Sequence, residues 1–224
     1  MYRSEYIAFN RNGERLPAVV RNYGADDFEQ LIGVQRECFP PPFPSELWWT
    51  TEQLRSHIER FPEGAVCVEV DGKVVGSMTG LLIRWDPEEE HHSWAETTGD
   101  GSISTHDPEG DTLYIVDISV SPDYRQFGFG KAMTFAMYHL VIERKLKRLL
   151  GGARMSGYHR VADRISAEQY AEEVVAGRLS DPVVTFLLRC GRMPVRVASN
   201  YLDDEESRNH ALLMEWKNPF LQRG

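Results

Sequence analysis

The chain has 224 residues, 42% hydrophobic and 26% charged, a globular balance that excludes disorder and supplies enough apolar material for a core. Its net charge of -9, from 34 acidic and 25 basic residues, excludes the basic surplus that sequence-independent binding to nucleic acid needs. The imbalance is local: Trp85 to Asp111 has no Lys or Arg and carries Asp86, Glu88, Glu89, Glu90, Glu96, Asp100, Asp107, Glu109 and Asp111, against a neutral remainder.

In chain order, residues 17–23 (PAVVRNY) read as a first strand. Asp26 or Asp27 caps a helix whose stripe is Phe28, Leu31, Ile32, Gln35 and Cys38. That helix must stop before the proline-rich Phe39–Pro44. Thr50 or Thr51 restarts a helix through Leu54, Ile58 and Phe61, and residues 62–64 turn. Strands 65–70 and 73–83 flank Asp71-Gly72, a two-residue hairpin signal. The acidic segment 85–111 reads as a long polar excursion from the sheet. Residues 113–120 (LYIVDISV) are a β-branched strand, ended by Ser121-Pro122-Asp123. A helix runs from Lys131 to about Arg148, with His139 on its apolar stripe as a core histidine. Strand 148–155 follows, then a helix over 166–179 capped by Ser166. Asp181-Pro182 starts another helix, 183–190, stopped by Gly191. Strands 195–202 and 211–216 close the chain around a polar loop. The order describes one α/β domain over 1–224. A mixed, largely antiparallel sheet carries helices on both faces, with an acidic insertion at about 85–111 and a helical one at about 157–180.

Cys38, Cys67 and Cys190 are too few and too scattered for a disulfide framework or a metal clip, and each sits among apolar neighbours. The N-terminus has no secretory signature, and no apolar run is long enough for a membrane span. A cytoplasmic protein without a membrane contact is expected.

The chemistry concentrates in residues 117–131, DISVSPDYRQFGFGK. A strand ends, a short loop follows, and a helix begins with glycines near its start. Glycine permits close backbone approach, and unpaired N–H groups at a helix N-terminus form an anion site. Arg125 and Lys131 add positive charge, so a diphosphate suits the loop. The spacing is not that of an ATP-binding P-loop or a dinucleotide fingerprint. A strand–turn–helix with incidental glycines is the competing reading.

Arg125-x-x-Gly128-x-Gly130 after Ile118-Ser119-Val120-Ser121-Pro122 resembles the coenzyme A signature of the GNAT acetyltransferase superfamily. The element order resembles it from about residue 17 to 216. Residues 151–159 and 200–207 look like GNAT domains fused ahead of a carbon–nitrogen hydrolase domain, and with the chain stopping at Gly224 no hydrolase is expected in it. The resemblance implies a sheet splayed beside Ile118 and acetyl-CoA as cosubstrate. It implies an acyltransferase, most simply an N-acetyltransferase in which an amine attacks the thioester directly. The backbone of Ile118, Ser119 and Val120 would pair with the pantetheine arm. The amides of Arg125, Gln126, Phe127, Gly128, Phe129, Gly130 and Lys131 would cradle the diphosphate.

Two positions depart from the family's pattern. Leu187 stands where a tyrosine often protonates the leaving thiolate, and Gly152 where a glutamate is usual. These departures leave open a non-catalytic acyl-CoA-binding module. Substitutes are His159 as base, Tyr158 as thiolate acid, Asp117 as base, substrate anchor or structural hub, and Tyr114 if it faces the cleft rather than the core. Arg154 is either a carboxylate binder or half of an ion pair, and Tyr201 could line the splay. Glu88–His92 with His106 lacks metal-ligand spacing, so no metal is expected. Trp48-Trp49 and the Phe39–Pro44 turn would cap the cleft, fill the core or make a homodimer patch. The acidic segment suggests a cationic acceptor, a small molecule or a protein amine.

Overall fold

Asp71 and Gly72 both take positive φ, 49° and 78°, which is what a tight hairpin between right-twisted strands demands. In the computed structural model, which describes residues 1–41, 43–88 and 92–221, that turn joins β3 (Ala65–Val70) to β4 (Lys73–Ile83). Ahead of them lie β1 (Arg3–Phe9), β2 (Arg15–Asn22), α1 (Phe28–Cys38) and α2 (Thr51–Arg60). After them come a short α3 (Trp94–Thr98), β5 (Thr112–Val120), α4 (Phe129–Glu143) and β6 (Arg148–Arg154). The chain closes with α5 (Ala167–Val175), α6 (Pro182–Arg189), β7 (Met193–Ala198) and β8 (Ala211–Lys217). The eight strands form one sheet in the order β1-β2-β3-β4-β5-β6-β8-β7, antiparallel everywhere except between β5 and β6.

The caps behave as their residue types demand. Thr50 and Ser166 accept from the amides of Gln53 and Gln169, which reach back to complete capping boxes. Asp181 accepts from Val183 and Val184 at the start of α6. It is fully buried and also accepts from Tyr170 Oη and the Gly157 amide, each at 2.9 Å, so it pins α5 and the end of β6 to α6. Replacing it removes a cap and strands two buried donors. Asp181→Ala is therefore expected to lower stability by roughly 3 kcal/mol or more in urea unfolding.

Several sequence expectations change, including the helix over 166–179, which ends at Val175, and the strand over 195–202, which runs from Met193 to Ala198. Strand β1 was not foreseen: its exposed side chains include Arg3, Glu5, Ile7 and Phe9, so no polar face alternates with an apolar one. Helix α4 ends at Glu143, since Lys145 takes a left-handed φ of 54°. His139 is not a core residue; its exposed ring lies 3.4 Å from Glu143. Trp49 is buried edge-on against His57 and so belongs to the core rather than to a dimer patch.

The acidic segment is not a loose excursion. Its Trp94, Thr98 and Ile103 are buried. Gln53 and Ser56 donate to the carbonyls of Asp100 and Ser102, and the Asp107 amide donates to Leu82. His57 accepts from Tyr23 at Nδ1, so its Nε2–H donates to the Gly101 carbonyl at 2.6 Å. Burial lowers the pKa of His57 to about 4, which keeps it neutral and able to hold this latch.

Candidate active site

Strands β5 and β6 pair only from Thr112 to Tyr114, against Arg148 to Leu150. Beyond Tyr114 they part, and β5 keeps its partner β4 on one side alone. Residues 115–120 thus present an unpaired strand edge into a V-shaped opening. A register shift opposite Thr79 and Gly80 leaves Val116 as the extra residue, a bulge at the mouth of the V.

The V holds a cavity of about 130 Å³. Phe39, Phe43, Trp49 and Trp94 form aromatic walls, and Gln35, Asp117, Arg154 and Tyr201 supply polar groups. The Phe39–Pro44 turn and Trp49 therefore do line the cleft. Trp94 is held there by its indole N–H, which donates to the Val116 carbonyl at 3.0 Å. That contact brings the acidic segment to the site, but by an apolar residue. None of its described acids lines this cavity. Asp107 and Asp111 instead pair with Arg84 and Lys147.

Asp117 accepts from Gln35 Nε2 at 3.0 Å and from Ser119 Oγ. Among the described residues no cation pairs with it there. Burial pushes its carboxyl up to about 7, against the pull of hydrogen bonds from Ser119, Gln35 and the Ile118 backbone. A carboxylate that titrates near neutrality inside a cleft is suited to proton transfer. Arg154 is committed elsewhere: it pairs at two points with Asp204, reaches Glu206, and lies over Phe39 and Phe43. Burial works against the Asp204 carboxylate, yet Arg154 holds its pKa below the usual range. Arg154 therefore stiffens the aromatic wall.

Of the remaining catalytic candidates, Tyr158, His159 and Tyr114 are not among the residues that line the cavity. Tyr158 is buried with Tyr170 and donates to the Ile165 carbonyl, in a cluster that also holds Leu187. His159 is held through Nδ1 at the carbonyls of Ser156 and Glu206. Both sit on a 3-10 turn after β6, and neither lines the cavity. Tyr114 is fully buried behind the cleft, its hydroxyl 2.7 Å from Tyr201 Oη and 3.0 Å from His92 Nε2. Tyr201 lines the cavity itself, and Gly152 makes room for it. A Cβ on Gly152 would fall well inside contact distance of the Tyr201 ring. Of the metal reading, Glu89, Glu90 and His91 lie outside the described residues, while His92 turns to Tyr114 and His106 accepts from the Leu82 amide. Burial raises the Cys38 thiol to about 11, that of Cys67 to about 12 and that of Cys190 above its usual value, so none is activated as a nucleophile.

The other arm of the site is a 3-10 turn at Pro122–Phe127 leading into α4. Gly128 caps α4 with φ 76°, a conformation other residues rarely take, and open space lies over its α-carbon. Gly130 packs below Phe186, where a Cβ would approach the ring at 3.0 Å. The first amides of α4 have no partners within the helix. Arg125 and Lys131 are exposed beside them, with Arg125 Nε on the Val120 carbonyl at 3.1 Å. An unpaired strand edge running to a glycine-capped helix start fits an extended amide arm ending in a diphosphate.

Residues 28–160 match the acetyltransferase (GNAT) family. The chain is 53% identical to an uncharacterized N-acetyltransferase of Bacillus subtilis, YkwB, over 97% of this chain and 96% of that one. It is 38% identical to the probable hydrolase YhcX of the same organism, over 89% of this chain but only 38% of that longer protein. Among solved structures, the GphF GNAT-like decarboxylase in complex with isobutyryl-CoA superposes with a TM-score of 0.73. That likeness covers 89% of this chain and 98% of the other at 22% identity, and it speaks for the fold.

Proposed function

This chain belongs to the acetyltransferase (GNAT) family and is an acyl-CoA-dependent acyltransferase, and on that premise we propose that its V-shaped cleft carries out direct N-acyl transfer. The pantetheine arm of acetyl-CoA lies along the free edge of Ile118, Ser119 and Val120. The diphosphate lies at the amides of residues 125–131, from Arg125 through Gln126, Phe127, Gly128 and Phe129 to Gly130 and Lys131. The observation that carries this reading is the unpaired β5 edge leading to the Gly128 cap. For the diphosphate to settle, Arg125 must release the Val120 carbonyl.

The amine enters among Phe39, Phe43, Trp49 and Trp94, where ring faces attract an ammonium ion. Asp117 takes its proton, and the free amine attacks the thioester carbonyl. Bringing the two together in a closed cleft supplies much of the rate. Aromatic walls and a lone carboxylate favour a compact primary amine with an apolar neighbour. The free cysteines and the absence of any described helix able to span a membrane are consistent with a cytoplasmic setting.

Calorimetry and a thiol-release assay test this together. Acetyl-CoA should bind far more tightly than ATP. With acetyl-CoA present, 2-phenylethylamine should be used at least about tenfold better, by kcat/KM, than spermidine, whose extra charges would be stranded among the rings. Preferential ATP binding would refute the placement of the coenzyme, and a preference for spermidine would refute the acceptor class.

A further inference from the structure

A second cavity, of about 300 Å³, opens on the other side of the Tyr114 hydroxyl. His92, Ser93, Glu96 and Asp107 are among its lining residues, and it shares no residue with the reaction cleft. His92 also touches the hydroxyl pair that reaches that cleft. Three side chains thus form an unbroken buried file: Tyr201 Oη, Tyr114 Oη at 2.7 Å, and His92 Nε2 at 3.0 Å beyond it. Tyr201 opens on the reaction cleft and His92 on the second cavity.

We propose that this file is a proton line: Tyr201 gives its proton to the departing thiolate, and His92 restores it from solvent in the second cavity through Tyr114. The proposal rests on the reading of the V as the acyl-transfer cleft. It assigns the thiolate acid, which Leu187 cannot supply because its side chain carries no proton to give.

The step balances. Asp117 sheds the ammonium proton to solvent before the attack; the amine nitrogen then bonds to the acyl carbon, and its surplus proton passes to the emptied Asp117 carboxylate. The C–S bond breaks with its electron pair on sulfur, which takes the Tyr201 proton. Tyr201 takes the Tyr114 proton, Tyr114 the Nε2 proton of His92, and His92 recovers one from solvent, which the protons shed by Asp117 replenish. Two phenols in a row can pass a proton in this way because each hydroxyl both donates and accepts.

Several features hold the file in register. The ring of His92 stacks on Tyr201 at 6.2 Å, tilts on Tyr114 at 5.3 Å and meets Trp85 edge-on at 5.3 Å. The Tyr201 carbonyl accepts from the Trp94 amide at 2.8 Å, and the Tyr201 amide donates to Asn209. Burial lifts Tyr201 to about 12 and Tyr114 well above its ordinary value, so both stay protonated hydroxyls at neutral pH. Among the described residues, the charged groups sharing the second cavity with His92 are Arg84, Glu96 and Asp107, and Arg84 is paired with Asp107.

Tyr114→Phe removes only the middle oxygen and keeps the ring in the core. The line requires kcat for thiol release to fall roughly 10- to 100-fold, while calorimetric affinity for acetyl-CoA stays within about twofold. Tyr114→Phe/Tyr201→Phe should be no slower than Tyr201→Phe alone, because both substitutions cut one path. His92→Ala should recover with added imidazole, which the second cavity can admit, and the recovery should vanish when Tyr114→Phe is added. An additive double variant, a Tyr114→Phe enzyme with unchanged kcat, or no imidazole response would overturn the line alone. A wild-type enzyme that binds acetyl-CoA yet releases no thiol with any amine would overturn the transfer reading and the line with it.

Discussion

Gly152→Ala should reduce thiol release by roughly 1000-fold while leaving acetyl-CoA binding nearly intact. One methyl group is enough because of what Gly152 faces. Its missing Cβ is the space that the Tyr201 ring fills, and a Cβ there would overlap the ring carbons and the hydroxyl. The ring cannot yield by a small shift. It is buried, stacked on His92, and held through its own backbone by Trp94 and Asn209. It must leave its rotamer, and the 2.7 Å contact with Tyr114 goes with it. Gly151→Ala is the control. Gly151 is the adjacent strand residue, so its Cβ would point to the opposite face, 3.3 Å from Ile115. That contact is short by only a few tenths of an ångström, far less than the overlap at Gly152, and activity should stay within about tenfold of wild type. Equal losses in the two variants would mean that general crowding of β6, not Tyr201, sets the effect. The family's usual glutamate is excluded here for the same reason: Gly152 and Tyr201 are a matched pair.

Much of the frame was legible because local chemistry dictates it. Asp71-Gly72 closes a hairpin, Thr50, Ser166 and Asp181 cap helices, and prolines end α1 before the cleft wall. The strand-to-glycine-helix step at 117–131 was legible for the same reason. What escaped depends on contacts distant in sequence. Trp94 lies in a stretch whose acids dominate its composition, yet its indole is fixed by a carbonyl 22 residues away. Tyr114 and Tyr201 meet across 87 residues, and no periodicity announces such a pair. His159 and Tyr158 were attractive because they follow β6. Sequence gives their position along the chain but not which residues line the cavity, and neither of these does. Asp117 stood out in the sequence as a carboxylate inside an apolar strand. Its environment, the Gln35 amide and the Ser119 hydroxyl with no cation among the described residues, needed the fold.

That environment makes Asp117→Asn the other large effect, with two separable signatures. The first is catalytic. A base must be ionised, so wild-type kcat should climb with pH through about 7 and level off above it. The asparagine cannot accept the proton, so kcat should fall roughly 1000-fold and the limb near 7 should vanish. A variant within about threefold of wild type, or one that keeps the same limb, would remove Asp117 from the proton path. The second signature is thermodynamic. The folded-state pKa, about 7, is raised above the ordinary 3.8, so the folded protein keeps a proton that the unfolded chain loses. The group's contribution to stability is thus complete below the ordinary pKa and is lost as pH rises through 7. His57 acts in the opposite direction. Its pKa is lowered to about 4 from 6.5, so its contribution is complete above 6.5 and is lost as pH falls through 4. In wild type the two slopes oppose each other over nearly the same window. Asp117→Asn deletes one of them. Relative to wild type, its unfolding free energy should rise between pH 4 and pH 7.5 by an amount on the order of 4 kcal/mol. Urea unfolding of both proteins across that range reads the difference directly. Curves that run parallel would mean that Asp117 does not hold its proton in the fold, and the same residue would then be ionised too early to report a limb near 7. Above pH 7 the fold then holds this charge in poor solvation, a cost that the proposed role of Asp117 as base accounts for.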